Sequence, residues 1–300
     1  MEKSKWKIKD LLTKYSSHID FLDLELLIAH TIKKPREFVL AYPEQPLTQT
    51  QTKNLDTKVT RRRHGEPLAY ILGYKEFYGL NFFVTKDALI PRPETEILVD
   101  LAREEIKKIK MVRKKRVKIS VIDVGTGSGN IIVSIAKEIK KEQPLLDIKY
   151  YATDISTRAI DVAKKNAKQH RVKNIIQFNK NDLVSSYFTR AKQKRDTLII
   201  ANLPYLSQTI YNNTIKDIHD FEPKNALVSE KRGLDHYYRL LKNIKNARKL
   251  RFITLFLEIS PEQSVVLQKY ALTLFPKAFI KIKKDLAGKN RVFEMHATLS

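Results

Sequence analysis

The sequence contains no cysteine among its 300 residues. Disulfide bonds, thiolate nucleophiles and cysteine-ligated zinc or iron–sulfur sites are therefore excluded. The seven histidines are scattered along the chain without the spacing of metal ligands, so we expect no metal site.

Long apolar runs are also missing from the sequence. No segment approaches the roughly 18–20 uncharged apolar residues that a membrane span requires. The opening residues, MEKSKWKIKD, lack the apolar stretch of a signal peptide. We therefore expect a soluble, cytoplasmic protein with no membrane partner. The hydrophobic content of 42% is enough for one sizeable core and a small second domain.

Acidic residues are scarce relative to basic ones: 33 Asp and Glu stand against 57 Lys and Arg, which gives a formal net charge of +24. Such a charge favours an anionic partner, most often nucleic acid. The densest basic run, Lys107 to Lys118, holds eight basic residues and no acidic one. Two interpretations stay open for this run: a solvated helix end in a lysine-rich sequence, or a contact with RNA or the ribosome.

The first 65 or so residues have the pattern of short helices. Asp20 is placed to cap a helix over IDFLDLELLIAHTIKK, which Pro35 ends. The polar stretch TQTQTKN begins another helix, which ends near Gly65 and Pro67. These features predict a small helical domain.

Residues 74–90, YKEFYGLNFFVTKDALI, are rich in aromatic and β-branched residues around a central glycine, which predicts a hairpin. The two prolines of IPRPETE then favour an extended segment. An amphipathic helix is expected to begin within Glu94 to Glu96, because acidic side chains suit the first turn of a helix.

From Lys118 onward, short apolar strands alternate with helical stretches. This alternation predicts a parallel sheet with helices on both faces. AFIKIKKD and RVFEMHA, joined by a short AGKN turn, predict an antiparallel hairpin at the sheet edge. The five expected parallel strands fall at 118–123, 148–154, 175–182, 197–201 and 253–259.

A glycine-rich turn follows the first of these strands. Gly125, Gly127 and Gly129 lie within DVGTGSG, where they allow a tight turn and a close approach to a ligand at the carboxyl end of the strand. The spacing matches neither the dinucleotide fingerprint nor a P-loop. By itself, such a turn can also be a simple tight connection.

Two aspartates extend this pattern at the ends of the next two strands. Asp154 is placed where a carboxylate can bind both hydroxyls of a ribose, and Asp182, within Asn181-Asp182, where an acceptor can meet an adenine amino group. Taken singly, each could cap a helix or a turn. Together with the glycine turn they predict a nucleoside-binding crevice.

The fourth strand ends in Asn202-Leu203-Pro204-Tyr205. The amide oxygen of Asn202 and the carbonyl of Leu203 are two acceptors that can hold both N–H bonds of a planar NH2 group. Pro204 stiffens the loop and Tyr205 offers a ring face. Orientation of a weakly nucleophilic NH2 group towards an electrophile is worth up to roughly 7–11 kcal/mol. An Asn-Pro turn that merely caps a strand is the alternative.

As a set, these motifs resemble the S-adenosylmethionine-dependent amino-methyltransferases that carry an Asn/Asp-Pro-Pro-Tyr motif. The segment EPLAYILGYKEFYGLNFFVTKDALIPRPETEILVD is similar to the linker of the PrmC/HemK family, the N5-glutamine methyltransferases of peptide chain release factors. DLELLIAHTIKKPREFVL, FEPKNAL and LEISPEQ extend the resemblance over nearly the whole chain.

The resemblance implies an α/β fold: a Rossmann-like, seven-stranded class I methyltransferase domain with a small N-terminal helical bundle and a β-hairpin linker. The expected boundaries are 1–70 for the helical substrate-recognition domain, 71–93 for the linker and 94–300 for the methyltransferase domain. The implied cofactor is S-adenosylmethionine, and the implied partner is a class-1 release factor, methylated at the glutamine of its Gly-Gly-Gln loop.

The resemblance also implies roles for individual residues. The four residues of the Asn202 motif are implied to be catalytic and to bind the target amide. They are Asn202, Leu203, Pro204 and Tyr205. Phe77, Pro91 and Glu94 fall in the stretch that resembles the substrate-side wall. The residues implied to bind the cofactor are Asp123, Gly125, Thr126, Gly127, Gly129, Asp154, Asp182 and Asn202.

The sequence departs from the family pattern at two places. Leu203 replaces the first proline of the motif, so the loop loses one fixed φ angle but keeps its carbonyl. After FEPKNALV, the expected acidic-Gly-Gly-Leu turn is replaced by SEKRGLDHYY.

Three other functions compete with this interpretation. An adenine or cytosine amino-methyltransferase acting on nucleic acid would bind the same planar NH2 group and would suit the charge. A ribosomal-protein glutamine methyltransferase shares the helical domain and the linker in general form. A non-catalytic RNA- or ribosome-binding protein would keep the fold and lose cofactor affinity.

Overall fold

The computed structural model describes residues 3–113, 118–142, 146–184, 195–213, 216–247, 250 and 252–299. The described chain forms two compact units. The first comprises residues 3–74 together with 216–221, and the second comprises 75–213 and 222–299. Part of the basic run from Lys107 to Lys118, residues 114–117, lies outside the described residues.

The first unit is mainly helical, as predicted. Asp20 caps its second helix: the carboxylate oxygen Oδ1 accepts from the backbone N–H of Leu22 at 2.9 Å and of Asp23 at 3.3 Å. Strands β1 (Lys3–Lys7) and β2 (Pro46–Thr48) form a small antiparallel sheet. The helices of this part of the chain are Ile8–Tyr15, Phe21–Ile32, Arg36–Ala41, Gln49–Arg63 and Leu68–Leu72.

A helix from far along the chain, Lys216–Phe221, belongs to the first unit. Arg62 joins it to the earlier helices, because its guanidinium binds Asp217 and Asp23, each at 2.6 Å. A division of the sequence at residues 70 and 93 does not place this helix in the first unit. Such long-range membership depends on tertiary contacts, and no local sequence signal reports it.

Residues 74–83 form the predicted hairpin. Strands β3 (Tyr74–Phe77) and β4 (Leu80–Phe83) pair across a turn at Tyr78-Gly79, both of which have positive φ angles. A 3-10 turn, Pro93–Thr95, then leads into helix Glu96–Arg113, as the prolines and acidic residues predict.

The second unit is built on a seven-stranded sheet in the order β10-β11-β9-β8-β5-β6-β7. Strands β5 to β9 run parallel, and β11 and β10 are antiparallel to their neighbours. The five parallel strands and the edge hairpin are therefore confirmed. The strands are β5 Lys118–Val124, β6 Asp147–Asp154, β7 Ile176–Lys180, β8 Asp196–Ala201, β9 Phe252–Glu258, β10 Phe279–Lys284 and β11 Asn290–Thr298.

Strand β5 shows why the sheet is covered on both faces. Ile119 and Val121 belong to one buried cluster, whereas Ile122 and Val124 belong to the other, because successive side chains of a strand point to opposite faces. Each fully buried aliphatic side chain contributes roughly 1.5–3 kcal/mol. Helices Glu96–Arg113, Asn130–Glu142 and Thr157–Gln169 contribute to the first cluster, and Asp235–Lys245 and Ser264–Leu274 to the second.

The strand order positions the functional site. From β5 the chain continues outward to β6 and β7, and then returns to the other side of β5 to form β8. The sheet therefore has a topological switch point between β5 and β8, where a crevice opens at the carboxyl ends of the strands. In the described part of the chain, no helix is long and apolar enough to cross a membrane.

Candidate active site

A cavity of about 160 Å³ lies at the carboxyl ends of the parallel strands. Five loops, which follow the hairpin and strands β5 to β8, supply most of its wall. The rest comes from Pro223, Asn225, Ala226, His236 and Arg239. The predicted site residues on this wall are Pro91, Gly125, Thr126, Gly127, Asp154, Asp182, Asn202, Leu203 and Pro204.

The glycine turn is held in a fixed shape by the neighbouring strand. The backbone N–H groups of Gly125 and Thr126 both donate to the carbonyl of Thr153, at 2.9 and 2.8 Å. Gly125, Gly127 and Gly129 have φ angles of +71°, +53° and +79°, a region that side-chain-bearing residues rarely adopt. The turn needs glycine at these positions for its backbone conformation.

The surroundings of the last two glycines differ. A Cβ atom on Gly129 would lie 3.0 Å from the Cβ of Ala163, so this glycine allows close packing against helix Thr157–Gln169. A Cβ atom on Gly127 would meet no atom within 4 Å. Gly127 thus borders open space on the cavity wall, and Gly129 does not contribute to that wall.

Asp154 lies on the cavity wall at the end of β6. Its Oδ2 accepts from the backbone N–H of Gly127 and its Oδ1 from that of Ser156, each at 2.9 Å. Burial raises the pKa of this carboxyl above its usual value, and these backbone donors partly oppose the shift. Each oxygen keeps a second lone pair, so the carboxylate can still accept from a pair of hydroxyl groups.

Asp123 is fully buried and does not reach the cavity wall. The hydroxyl of Thr126 donates to its Oδ2 at 2.7 Å. Burial raises the pKa of Asp123 to about 7, and the Thr126 hydrogen bond works against the shift. The structure therefore places Asp123 beneath the glycine turn, with Thr126 between it and the cavity.

Asp182 lines the cavity after β7 and is about half exposed. Its Oδ2 forms an ion pair with the guanidinium of Arg239, which also lines the cavity. The sequence pattern gave no signal for this pairing, because the two residues are far apart in the chain.

Asn202 is brought to the cavity at the end of β8, beside the glycine turn. Its Nδ2 donates to the hydroxyl of Thr95 at 3.0 Å. The Thr95 hydroxyl donates in turn to Oε2 of Glu258 at 2.7 Å. The amide oxygen of Asn202 accepts no hydrogen bond from the described residues and is available at the cavity.

The other residues of the Asn202 motif have different positions. Leu203 and Pro204 line the cavity, and the Leu203 carbonyl lies 3.3 Å from the hydroxyl of buried Tyr237. Tyr205 is not part of the cavity wall. Its hydroxyl contacts Glu258 Oε1 at 3.4 Å, and burial raises its pKa well above the usual value.

The structure does not bring all three predicted wall residues to the cavity. Pro91 lines it, but Glu94 is exposed and is not part of the cavity wall. Phe77 is only 1% exposed and packs edge-on against Phe82 at a ring distance of 6.0 Å. Phe77 therefore belongs to the core beneath the hairpin.

Sequence reasoning missed the residues that position the wall. Glu222 is buried, accepts from Arg92 Nη2 at 2.5 Å, and so fixes the proline-rich segment. Glu258 and Thr95 hold the amide of Asn202. The only sequence signal for Glu258 was an acidic residue at the end of a strongly apolar strand, ITLFLEI.

The residues of the wall fit a bound nucleoside. The Asp154 carboxylate suits a ribose diol, and the open space beside Gly127 allows close approach of a ligand to the backbone. No cluster of His, Asp and Glu able to hold a metal ion occurs within the part of the chain that the structure describes.

Comparison with known proteins agrees with this architecture. Residues 7–73 match the family model of the PrmC N-terminal domain, and residues 115–248 match a methyltransferase domain model. The release factor glutamine methyltransferase of Bacillus cereus is 32% identical, over 89% of each chain. The enzyme of that name from Dictyoglomus turgidum is 35% identical, over 92% of this chain and 90% of its own. The one from Coxiella burnetii is 40% identical, over 71% and 69%.

Solved structures show the same fold at low sequence identity. The catalytic domain of human METTL16 in complex with an RNA hairpin has a TM-score of 0.53 at 14% identity, over 91% of each chain. The N-terminal domain of human METTL16 in complex with SAH has a TM-score of 0.52 at 15% identity, over 91% of this chain and 94% of its own. The class I methyltransferase fold is thereby confirmed.

The family assignment rests on the curated relatives, which cover most of the chain at over 30% identity. The resemblance drawn from the motifs is confirmed, as is S-adenosylmethionine as the cofactor. The chain belongs to the release factor glutamine methyltransferase family and is an S-adenosylmethionine-dependent protein methyltransferase.

Proposed function

We propose that this protein transfers a methyl group to the side-chain amide nitrogen, N5, of the glutamine in the Gly-Gly-Gln loop of class-1 peptide chain release factors. The observation that carries the proposal is the position of Asn202. Its amide nitrogen is bound to Thr95, which leaves its oxygen as an acceptor at the cavity. The names of the curated relatives support a release factor as the substrate.

In this proposal, Asn202 and Leu203 bind the target amide. The Asn202 side-chain oxygen and the Leu203 carbonyl accept its two N–H bonds, which fixes the plane of the amide. The single proton of the Tyr237 hydroxyl is directed at shorter range to the backbone carbonyl of Glu258 than to that of Leu203, so the Leu203 carbonyl stays available as an acceptor. Pro204 restricts the loop that carries both acceptors.

The cofactor side of the cavity is assigned to the glycine turn and the two aspartates. Asp154 would hold the ribose hydroxyls, Gly127 would allow the backbone to approach the ligand, and Asp182 would lie at the adenine. When bound, S-adenosylmethionine supplies an electrophilic methyl group on a sulfonium, whose S–C bond electrons stay with the sulfur. The target nitrogen gains the methyl carbon and releases one proton to solvent.

The helical unit, bounded in our proposal at residue 70, would recognise the release factor, with the linker at 71–93 and the methyltransferase domain from 94. The location would be the cytoplasm. The net charge of +24 supports a further contact with RNA or the ribosome during recruitment.

A nucleic-acid amino-methyltransferase is the second candidate function, and the charge favours it. An exocyclic base amine presents the same planar NH2 group as a carboxamide. The match to the PrmC N-terminal domain model over residues 7–73 supports a protein substrate instead.

The experiment that tests the proposal is methyl transfer from labelled S-adenosylmethionine to a release factor, a ribosomal protein preparation and bare RNA, offered separately. A release factor with its loop glutamine replaced by alanine is the matched control. We expect one methyl group on that glutamine by mass spectrometry, and no label on the control. Label confined to RNA or to ribosomal proteins would refute the proposal.

A further inference from the structure

A chain of two hydrogen bonds connects the target-binding residue to a buried carboxylate. Asn202 Nδ2 donates to Thr95 Oγ1 at 3.0 Å, and Thr95 Oγ1 donates to Glu258 Oε2 at 2.7 Å. The three residues come from separate segments: the loop after β8, the turn Pro93–Thr95 and the end of β9. No local sequence pattern requires them to meet.

The middle and the last member of this chain are enclosed. Thr95 is 2% exposed and Glu258 is 1% exposed, so neither can exchange its partner for bulk water. A buried polar group without a hydrogen bond costs about 1–3 kcal/mol. The Thr95 hydroxyl is therefore held between its two neighbours.

The direction of each bond follows from the chemistry of the groups. An ionised carboxylate only accepts hydrogen bonds, so the single proton of the Thr95 hydroxyl goes to Glu258. Burial raises the pKa of Glu258, and the hydrogen bond from Thr95 and the positive charge of Arg291 oppose that shift. Its two oxygens face two hydroxyl donors, Thr95 at Oε2 and Tyr205 at Oε1, which is the arrangement of an ionised carboxylate. The Thr95 oxygen then offers only lone pairs to Asn202, which must present its NH2 group.

This direction decides which way the Asn202 amide faces. An amide can turn by 180° about its last side-chain bond and exchange its oxygen and nitrogen with little change in shape. Because the Thr95 proton goes to Glu258, the turned amide would place the Asn202 oxygen next to a lone pair of the Thr95 oxygen. The two oxygens would repel each other, and no hydrogen bond would form between them. The stable arrangement keeps the NH2 group at Thr95 and the oxygen at the cavity.

We propose that Thr95 and Glu258 are positioning residues that fix the Asn202 amide with its oxygen towards the acceptor substrate. They thereby make the site select a group with two N–H donors, such as a primary carboxamide. The inference rests on the proposed function, because it assigns Asn202 to the binding of the target amide. Neither residue contacts the substrate in this role.

The test is Thr95→Val, which keeps the size of the side chain and removes the hydroxyl. We expect kcat for the release factor to fall about tenfold or more, the cost of one lost hydrogen bond. The Kd for S-adenosylmethionine should change less than about twofold by calorimetry, because Thr95 acts through Asn202. Thr95→Ser retains the hydroxyl and should restore kcat to near the wild-type value.

Thr254→Val is the matched control. Thr254 also donates to a buried glutamate, Glu105, at 2.9 Å, and lies four residues before Glu258 in the same strand, roughly 13 Å away. This variant loses an equivalent buried hydrogen bond and should keep the wild-type kcat.

Three outcomes would overturn the proposal. One is a wild-type kcat for Thr95→Val. Another is a fall in kcat that Thr95→Ser does not restore. The third is an equal fall in Thr254→Val, which would mean that kcat follows stability alone. A failure of the proposed function would look different from a failure of this proposal, since wild-type protein would then leave the release factor unlabelled. The variants would in that case be compared on the acceptor that takes the label.

Discussion

Gly127 and Gly129 are two residues apart in one turn, yet they have different surroundings. Gly127 borders the open space of the cavity, whereas Gly129 packs against Ala163. The family resemblance implied the same cofactor role for both. It could not separate them, because the difference depends on a helix that begins 28 residues after Gly129.

The roles of Asn202 and Asp154 predict that their mutation changes different quantities, kcat for Asn202 and the Kd for S-adenosylmethionine for Asp154. Asn202→Ala should lower kcat for methyl transfer on the order of 10²–10³-fold, by analogy with the loss of one orienting hydrogen-bond partner. The Kd for S-adenosylmethionine should stay near the wild-type value, because Asn202 is assigned to the target amide. Single-turnover kinetics with calorimetry would measure both quantities. Normal turnover in the variant would exclude the role assigned to Asn202.

Asp154→Ala should instead weaken cofactor binding. The carboxylate is assigned to two hydroxyls, and hydrogen bonds to a charged group contribute about 1.5–3 kcal/mol each. We expect the calorimetric Kd for S-adenosylmethionine to rise roughly a hundredfold or more. Asp161→Ala, which removes a largely exposed carboxylate from the following helix, is the control and should keep the wild-type Kd. An unchanged Kd in Asp154→Ala would contradict the assignment.

At the level of elements, the sheet was the most predictable part of the molecule. Strands β5, β8 and β9 are nearly continuous runs of apolar residues. Such runs are typical of strands in a parallel sheet that is covered by helices on both faces. Short pieces outside this pattern were not predicted. Strand β2 has only three residues, which is too short for a sequence pattern. Its extended conformation accompanies its pairing with β1.

Gly233 lies against the backbone of Tyr205, the last residue of the Asn202 motif. A Cβ atom at this glycine would lie 1.9 Å from the carbonyl oxygen of Tyr205, and the φ angle is +83°. Gly233→Ala must therefore displace the backbone beside Pro204. We expect a loss of about 2 kcal/mol or more in the free energy of unfolding and a lower kcat for methyl transfer.

Gly288→Ala is the control for this prediction. Gly288 has a similar φ angle of +75°, but a Cβ atom there meets nothing within 4 Å. This variant should lose about 1 kcal/mol from backbone strain and keep its kcat. Urea denaturation and steady-state kinetics would measure the two effects. Equal losses of unfolding free energy in the two variants would show that the close contact of Gly233 with Tyr205 does not contribute to stability.

At the level of the whole molecule, Asp123 makes stability depend on pH. Its pKa is raised from an ordinary 3.8 to about 7 in the folded protein, so the folded state favours the protonated carboxyl. This contribution to stability is fully present below about pH 4 and is lost as the pH rises through about 7. The carboxylate is then buried in its charged form.

Asp123→Asn removes this titration and keeps an acceptor for Thr126. The free energy of unfolding of the variant, relative to wild type, should increase by roughly 2–3 kcal/mol between pH 4.5 and pH 7.5. Urea denaturation at several pH values, followed by circular dichroism, would measure the difference. A difference that stays constant over this range would mean that Asp123 does not titrate there.

The sequence by itself determined the order of strands and helices of the sheet, the crevice at the strand ends and the acceptor groups that Asn202 and Leu203 carry. These follow from apolar periodicity and from residue types at strand ends, which are local properties of the chain. The tertiary structure decided the rest. It placed Phe77 in the core, Asp123 below the turn and helix Lys216–Phe221 in the first unit. It also joined Thr95 to Glu258, 163 residues apart, because contacts between distant segments depend on packing that no local pattern encodes.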